Sequence, residues 1–325
     1  MKRAQFAVLA LVANAVLAAS AWPQAFAPTR PVELLVHTAA GGGSDVFARA
    51  VIEMAEKEKL PTQPFRVVIR TGGASAEAMA YMASKRGDDH TLAVFTNTWI
   101  ATPLTRKDAA HTVADFTPIV RLVLEPTIAV VRGDSPYRTL AEFAAAAKKS
   151  PGTLKQAGGS LTAIESLTGL MIQSATGAKW GFVPTPAVAD RIGSLLSGKV
   201  DITIPQPQDV NEHLASGRLR AIAAVTEQRL AILPDVSTVK EQGIDIPIVA
   251  NTRGILGPPQ MPPAAARYWE DWFARLAKTA SWKKYLEENQ VEDIFARGAE
   301  LESYLKGQTG IMRRMLAQAG IKDEH

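Results

Sequence analysis

The sequence predicts an α/β fold of two lobes, each built on a mainly parallel sheet flanked by helices. Apolar runs of strand length alternate with amphipathic helical stretches along most of the chain. This alternation is typical of parallel strands joined by crossover helices. The chain has 325 residues, which is enough for two domains that each have a core.

The first elements repeat one layout. Residues 32–38 form a buried apolar run, a glycine loop follows, and the next stretch places Phe47, Val51 and Met54 on one helical face. The segments PFRVVIRT, GGASAEAMAYMASKR and HTLAVFTNTW then predict a strand, a loop with a helix, and another strand. Strands joined in this way lie side by side and parallel.

Two further apolar runs flank Glu125 and Pro126, and we expect the chain to cross there into a second lobe. The later segments AGGSLTAIESL, GFVPTPAVADRIGSLLSGKVDITI and GRLRAIAAVT repeat the strand and helix pattern. TRGILGPPQMPP then returns the chain to the first lobe, and the tail is helical, with a stripe of core aromatic residues. The predicted division is lobe 1 at 28–123 plus 250–325 and lobe 2 at 124–249.

The first 27 residues have the features of an export signal. Lys2 and Arg3 precede an apolar run that is too short to span a bilayer, and Ala25-Phe26-Ala27 fits the small-x-small cleavage rule. Cleavage near Ala27 is the first choice, and Ala19-Ser20-Ala21 is a second option. The alternative is an uncleaved N-terminal anchor. The signal predicts an exported, periplasmic protein.

Composition excludes several classes of function. The formal charge of +4 is well mixed along the chain and forms no basic stripe with interleaved aromatic residues, so nucleic acid is not expected as a partner. The sequence has no cysteine, and its five histidines are far apart, so we predict no disulfide, no metal site and no cofactor.

Three loops share one arrangement, in which small residues follow a strand and precede a helix. They are 41–45 (GGGSD), 72–75 (GGAS) and 158–160 (GGS). Glycine lets the backbone approach a ligand, and a helix N-terminus offers unpaired N–H donors and partial positive charge. Because ligands of parallel sheets bind at the carboxyl ends of the strands, the three loops predict an anion site in a cleft between the lobes.

Simpler explanations of these loops exist. The glycines fit ordinary turns, and Ser44 or Ser160 could be helix N-caps. The first loop matches no nucleotide-binding motif, since no lysine follows its glycines. Asp45 and Asp201 could form an acid and base pair in a secreted hydrolase, but no nucleophile motif accompanies them. We predict no enzyme activity and no catalytic residues, and keep a hydrolase or a ligand sensor as alternatives.

With these motifs together, the chain resembles the periplasmic receptors of tripartite tricarboxylate transporters, the Bug family. The family's GG-[ST]-D motif before a helix is present as HTAAGGGSDVFARA, and its second loop as IRTGGASAEA. The most specific match is GRLRAIAAVTEQRLAILPDVSTVKEQGI. The resemblance covers essentially the whole chain after the signal.

The resemblance implies a type II periplasmic binding protein, a two-lobed monomer that closes on a small organic carboxylate and delivers it to membrane permease subunits. It implies ligand contacts from both lobes. The implied binding residues are Gly42, Gly43, Ser44, Asp45, Gly73, Ala74, Ser75, Thr96, Thr98, Gly159, Ser160, Thr162, Thr185 and Asp201.

One segment departs from the family pattern. The usual V-P-Y-K-G is VPTPAV here, so Thr185 and Pro186 replace a tyrosine and a lysine. The loss of a lysine predicts a less cationic far half of the pocket and a ligand whose far end is neutral or apolar. This prediction assumes that Arg191 stays on the outer face of its helix.

Overall fold

The computed structural model describes residues 26–60, 63–318 and 320–322. The predicted signal therefore lies almost wholly outside the described residues. At its end, the ring of Phe26 packs edge to face against Tyr268 and Trp269. No helix among the described residues is long and apolar enough to cross a membrane.

The first sheet has six strands in the order β11-β4-β10-β3-β1-β2. Strands β1, β2 and β3 pair in parallel, as the repeated strand and helix pattern predicts, whereas β10 and β11 are antiparallel to their neighbours. The strands are β1 (Val32–Val36), β2 (Phe65–Ile69), β3 (Thr91–Phe95), β4 (Thr117–Glu125), β10 (Asn251–Gly257) and β11 (Glu292–Ala296).

The second sheet has five strands in the order β7-β6-β8-β5-β9. Strands β7, β6 and β8 pair in parallel, and β5 is antiparallel to both of its neighbours. The strands are β5 (Thr127–Arg132), β6 (Lys155–Gly158), β7 (Gly181–Pro184), β8 (Ile202–Thr203) and β9 (Leu219–Val225).

The α/β fold with two flanked sheets is confirmed, and the prediction of mainly parallel sheets needs one correction. Both sheets are mixed. At least half of the neighbouring strand pairs in each sheet are antiparallel. The reason lies in β5 and β10, the strands through which the chain enters each sheet from the other. Both strands begin at the edge of their sheet that faces the other sheet. The strands that precede crossover helices end at that edge, so β5 and β10 are antiparallel to them.

Ten helices are described, and they cover the faces of the two sheets. Those of the first part of the chain are α1 (Gly43–Lys57), α2 (Ala76–Ser84) and α3 (Asn97–Thr105). Those beside the second sheet are α4 (Leu140–Lys149), α5 (Ile164–Thr176), α6 (Val188–Leu196) and α7 (Asn211–Ala215). The last three are α8 (Pro263–Leu276), α9 (Ala280–Asn289) and α10 (Gly298–Gln318).

The chain moves from the first sheet to the second at Pro126 and returns between Val225 and Asn251. The predicted lobes, 28–123 with 250–325 and 124–249, stay our proposed division of the chain. The two parts also share buried contacts, since one apolar cluster contains Trp99, Ala129 and Leu301. The tail aromatic residues Trp272 and Trp282 are fully buried in a second cluster, which fits the predicted role in core packing.

Candidate functional site

A cavity of about 410 Å³ lies between the two sheets, at the carboxyl ends of β1, β3 and β6. Both lobes contribute to its walls. Its lining residues are His37, Thr38, Ala39, Gly43, Ser44, Thr71, Gly72, Ala74, Thr96, Thr98, Gly159, Ser160, Ala163, Ile164, Glu165, Pro186, Val188, Arg191, Gln206, Asn251 and Arg253.

The loop between β1 and α1 is held by Asp45. The Gly41 N–H donates to the Asp45 carboxylate at 2.9 Å, and the Asp45 N–H donates to Thr38 Oγ1 at 3.2 Å. Nε of Arg49 also donates to this carboxylate at 3.0 Å. Asp45 is thus buried, stabilises the loop through these hydrogen bonds and does not line the cavity. Gly43 and Ser44 begin α1, and their N–H groups have no acceptor among the described residues.

The second loop, 72–75, is hydrogen-bonded to the first turn of α3 beside the cavity. Ala74 has a left-handed backbone with φ 60°, and Ser75 is buried and donates through Oγ to the Thr98 carbonyl at 3.4 Å. Thr96 is the N-cap of α3 and accepts the Thr98 N–H at 3.3 Å. Hydrogen bonds of Ser75 and of the N-cap therefore connect three residues of the cavity wall, namely Ala74, Thr96 and Thr98.

In the second lobe, the loop after β6 leads into α5, whose N-cap is Ala163. The Gly159 N–H donates to Glu165 Oε1 at 2.9 Å. Ser160 lines the cavity and its Oγ lies 3.3 Å from Thr162 Oγ1. Because the N-caps of α1 and α5 are Gly42 and Ala163, the N-cap explanation fails for both Ser44 and Ser160.

Four helices direct their N-terminal turns at the cavity: α1, α3, α5 and α6. Each helix has unpaired backbone N–H groups at this end and about half a positive charge from the aligned peptide dipoles. Convergence of four such ends favours an anion in the cavity.

Two buried ion pairs lie in opposite walls. Arg253 Nε donates to Glu125 Oε1 at 2.6 Å, and the Asn251 amide donates to Glu125 Oε2 at 2.6 Å. In the second lobe, Arg191 Nη1 lies 3.4 Å from Glu165 Oε1. Each pair is neutral as a whole, so the side chains add donors to the cavity without adding net charge.

Each arginine lies against a glycine of a predicted loop. A Cβ built on Gly43 would stand 2.9 Å from Arg253 Nη2, and a Cβ built on Gly159 would stand 3.6 Å from Arg191 Nη2 and 3.0 Å from Glu165 Oε1. Gly43 does not have a positive φ. A side chain at position 43 would therefore have to displace the Arg253 guanidinium, whereas the backbone angle itself would accept one.

Two titratable groups beside the cavity have shifted pKa values. Burial, assisted by the positive charge of Arg253, lowers the pKa of His37 to about 3. Neutral His37 accepts the Trp99 Nε1–H at Nδ1, at 3.1 Å. Burial and then the charge of Glu125 raise the pKa of Asp209 to about 6, and the nearby charges of Arg191 and Arg253 oppose that rise.

Half of the residues that the resemblance implied line the cavity, and half do not. The lining residues are Gly43, Ser44, Ala74, Thr96, Thr98, Gly159 and Ser160. The residues that adjoin these in the sequence or in space but do not line the cavity are Gly42, Asp45, Gly73, Ser75, Thr162 and Thr185. Thr162, for example, points its hydroxyl at Thr102 of α3, 3.2 Å away, and so connects the two lobes.

Asp201 needs a correction, because it lies at the wrong end of the second sheet. Its carboxylate accepts the N–H of Lys155, the first residue of β6, and its own N–H donates to the Lys155 carbonyl. The cavity is at the carboxyl end of β6 instead. Asp201 lines a separate surface depression with Arg132 and Tyr137.

The prediction that Arg191 stays on the outer face of its helix is wrong. Arg191 is buried, lines the cavity and pairs with Glu165. The argument for a neutral or apolar far end of the ligand assumed an outward Arg191, so its basis is lost.

Sequence reasoning missed His37, Glu125, Glu165, Asn251 and Arg253. One signal was available for Arg253, which is the only charged residue in the otherwise uncharged run NTRGILG. Every residue of β10 is buried. Glu125 similarly ends a long apolar strand. A charge in a buried strand requires a partner, but the sequence does not say which one.

One cluster outside the cavity has the composition of a metal site, namely Asp88, Asp89 and His90. Both ring nitrogens of His90 are already occupied: Nδ1 contacts the Asp89 carboxylate, and Nε2 accepts the Thr29 N–H at 2.9 Å. Asp88 pairs with Arg30 at 3.0 Å. These contacts connect the cluster to Thr29 and Arg30 near the start of the described chain.

The chain is similar to known proteins over most of its length. Residues 47–321 match the family model described as "Tripartite tricarboxylate transporter family receptor". A UPF0065 protein of Bordetella pertussis is 24% identical over 318 residues, which is 97% of each chain. A UPF0065 protein of Agrobacterium vitis is 29% identical over 67% of this chain, and that alignment spans 62% of the Agrobacterium protein's length.

Solved structures with the same fold include the periplasmic binding protein BugD, with a TM-score of 0.83 and 23% identity over 91% of this chain and 99% of that chain. An R. palustris protein solved with adipate has a TM-score of 0.82 and 23% identity, with the same coverage. MatC from Rhodopseudomonas palustris, solved with malate, has a TM-score of 0.79 and 22% identity over 90% of this chain and 100% of that chain. The match of the family model over most of its length shows that the chain belongs to the tripartite tricarboxylate transporter receptor family, whose members are solute-binding proteins of the Bug and TctC type.

Proposed function

We propose that the protein is an exported periplasmic receptor that binds a small organic carboxylate in the cavity between its lobes. We propose further that it delivers this ligand to the membrane permease of a tripartite tricarboxylate-type transporter. The observation that carries the proposal is the convergence of four helix N-termini on one cavity. Their N–H groups and dipoles suit a carboxylate.

The first lobe offers the best position for a carboxylate. The N–H groups of Gly43 and Ser44 have no acceptor among the described residues, and the Arg253 guanidinium lies beside Gly43. Two backbone donors with a neighbouring arginine make charge-assisted hydrogen bonds to one carboxylate. Adipate and malate in the two structural relatives support the same class of ligand.

A hydrolase is the second candidate, because Ser44 Oγ lies 3.4 Å from His37 Nδ1 and resembles a nucleophile beside a base. Two observations oppose this interpretation. Nδ1 already accepts the Trp99 N–H, and its lowered pKa of about 3 makes His37 a weak base at neutral pH. We therefore propose a binding protein without catalytic residues.

A thermal-shift screen of the exported chain against mono-, di- and tricarboxylates tests the proposal. A ligand at about 100 times its dissociation constant adds about 2.7 kcal/mol to the free energy of unfolding. Mass spectrometry of the recovered ligand should show it unchanged. A response to sugars or metal ions with none to organic acids would disprove the carboxylate assignment, and turnover of an ester would favour the hydrolase.

Transport is tested separately from binding. Deletion of the gene should abolish uptake of the identified acid into cells, and the purified receptor added to spheroplasts should restore it. Uptake that persists without the receptor, together with loss of a transcriptional response to the acid, would favour the sensor alternative.

A further inference from the structure

The second lobe presents a buried arginine, Arg191, to the cavity. Arg191 and Glu165 are both buried, with Nη1 of the arginine 3.4 Å from Oε1 of the glutamate. Nε of Arg191 also donates to the Thr185 carbonyl at 3.4 Å. These two contacts and its burial restrict the orientation of the guanidinium, so less freedom is lost when it binds a ligand.

Glu165 also removes a backbone donor from the same wall. The Gly159 N–H, which the glycine loop would otherwise offer to an anion, donates to Glu165 Oε1 at 2.9 Å. The first lobe is different, because the N–H groups of Gly43 and Ser44 have no acceptor among the described residues. The two lobes therefore offer different donors to a ligand between them.

Nη2 of Arg191 can donate to a ligand in place of the Gly159 N–H. It has no acceptor among the described residues, and it lies 3.6 Å from the position that a Cβ of Gly159 would occupy. The absence of a side chain on Gly159 leaves the approach to the guanidinium open. Pro186 and Val188 also line this wall and are apolar, so Arg191 is the cationic donor of the wall.

We propose that Arg191 determines specificity by binding a second carboxylate of the ligand, in the place of the Gly159 N–H, with Glu165 as its positioning residue. This inference rests on the proposed function as a carboxylate receptor. It assigns the part of the cavity that lies opposite the Gly43 and Ser44 N–H groups. A planar guanidinium matches a single planar carboxylate. The guanidinium therefore favours a diacid over the monoacid of the same chain length.

The test compares acids of equal chain length: succinate, glutarate and adipate with butyrate, pentanoate and hexanoate, by titration calorimetry. For the wild type we expect the best diacid to bind at least about tenfold tighter than its monoacid, the effect of one charge-assisted hydrogen bond. The key variant is Arg191→Gln/Glu165→Gln. It removes the donor, keeps the net charge of the cavity and leaves no buried charge unpaired, so we expect it to fold.

In that double variant the advantage of the diacid should fall to less than about threefold. Arg218→Gln, at an exposed position of the same lobe, should keep it. If acids bind but the advantage is absent in the wild type or persists in the double variant, the role of Arg191 is disproved and the carboxylate receptor stands. If no organic acid binds the wild type, including the mono- and tricarboxylates of the wider screen, both proposals fail.

Discussion

Arg253 and Gly43 approach each other so closely that a Cβ on the glycine would stand 2.9 Å from Nη2 of the arginine. Gly43 is the first residue of α1, and Arg253 is buried in β10 and paired with Glu125. The contact joins the first loop of the cavity to a charged pair whose members are distant from it in sequence. It makes the glycine a structural requirement of the proposed carboxylate position.

Gly43→Val should abolish ligand binding without unfolding the protein. The valine side chain would displace the Arg253 guanidinium and fill the space in front of the Gly43 and Ser44 N–H groups. Calorimetry should show at least about a hundredfold loss of affinity, equivalent to about 3 kcal/mol, with an unchanged circular dichroism spectrum. Gly307→Ala is the matched control, because a Cβ there meets nothing within 4 Å. Full affinity in Gly43→Val would show that the first loop is only a turn and does not bind the ligand.

Removing one member of the Arg253–Glu125 pair should destabilise the protein strongly. Arg253→Gln leaves Glu125 buried with only Asn251 as a partner, and loss of one member of a buried pair costs about 3–5 kcal/mol. Arg253→Gln/Glu125→Gln should recover most of this loss, since no charge is left unpaired. Urea unfolding measures both.

The exposed pair between Arg297 and Asp271 is the reference for this series, and Arg297→Gln should cost less than about 1 kcal/mol. Similar losses for Arg253→Gln and Arg297→Gln would mean that water reaches the buried pair. A double variant as unstable as the single one would assign the loss to packing of the arginine and not to its charge.

The small-residue loops were predictable because their chemistry is local. A strand, two or three small residues and a helix are consecutive in the chain, and the carboxyl ends of parallel strands share one edge. This reasoning placed Gly43, Ser44, Gly159 and Ser160 at the cavity. The same rule could have excluded Asp201, because a residue before a strand lies at the opposite edge.

The charged pairs were not predictable, because their partners are distant in sequence. Glu125 and Arg253 are 128 positions apart, and no periodicity relates them. Arg191 was assigned to the wrong face because its helix, α6, begins at the cavity, where both Val188 and Arg191 line the wall. Pairing across the chain is decided by tertiary packing, which a single sequence does not show.

Ser160→Ala should weaken binding without affecting the start of α5. Ser160 lines the cavity and is not the N-cap of α5, and its hydroxyl can accept from Thr162 while it donates to a ligand. A charged hydrogen bond from this hydroxyl predicts a loss of about 1–3 kcal/mol in binding free energy. Ser197→Ala, at the exposed far end of α6, should have no effect. An unchanged affinity for Ser160→Ala would leave the hydroxyl bound only to Thr162.

The dependence of stability on pH should reveal two opposing groups. The pKa of Asp209 rises from 3.8 to about 6 through burial and the charge of Glu125, so the folded state holds this proton longer than the unfolded state. Its stabilising contribution is complete below about pH 4 and is lost as the pH rises to 6. The pKa of His37 falls from 6.5 to about 3 through burial and the charge of Arg253. Its contribution is complete above about pH 6.5 and is lost as the pH falls to 3.

Between pH 4 and 6 these two effects cancel, because the folded state binds one proton more at Asp209 and one fewer at His37. Asp209→Asn removes the first effect, so the free energy of unfolding should rise with pH by up to about 1.4 kcal/mol per unit. His37→Gln removes the second, so the free energy should fall with pH over the same range. Urea unfolding at pH 4, 5 and 6 measures the slopes of both variants and the wild type. Parallel profiles in all three would show that neither group changes its protonation on folding, whereas slopes of opposite sign would establish Asp209 as an acid kept protonated beside the Glu125–Arg253 pair.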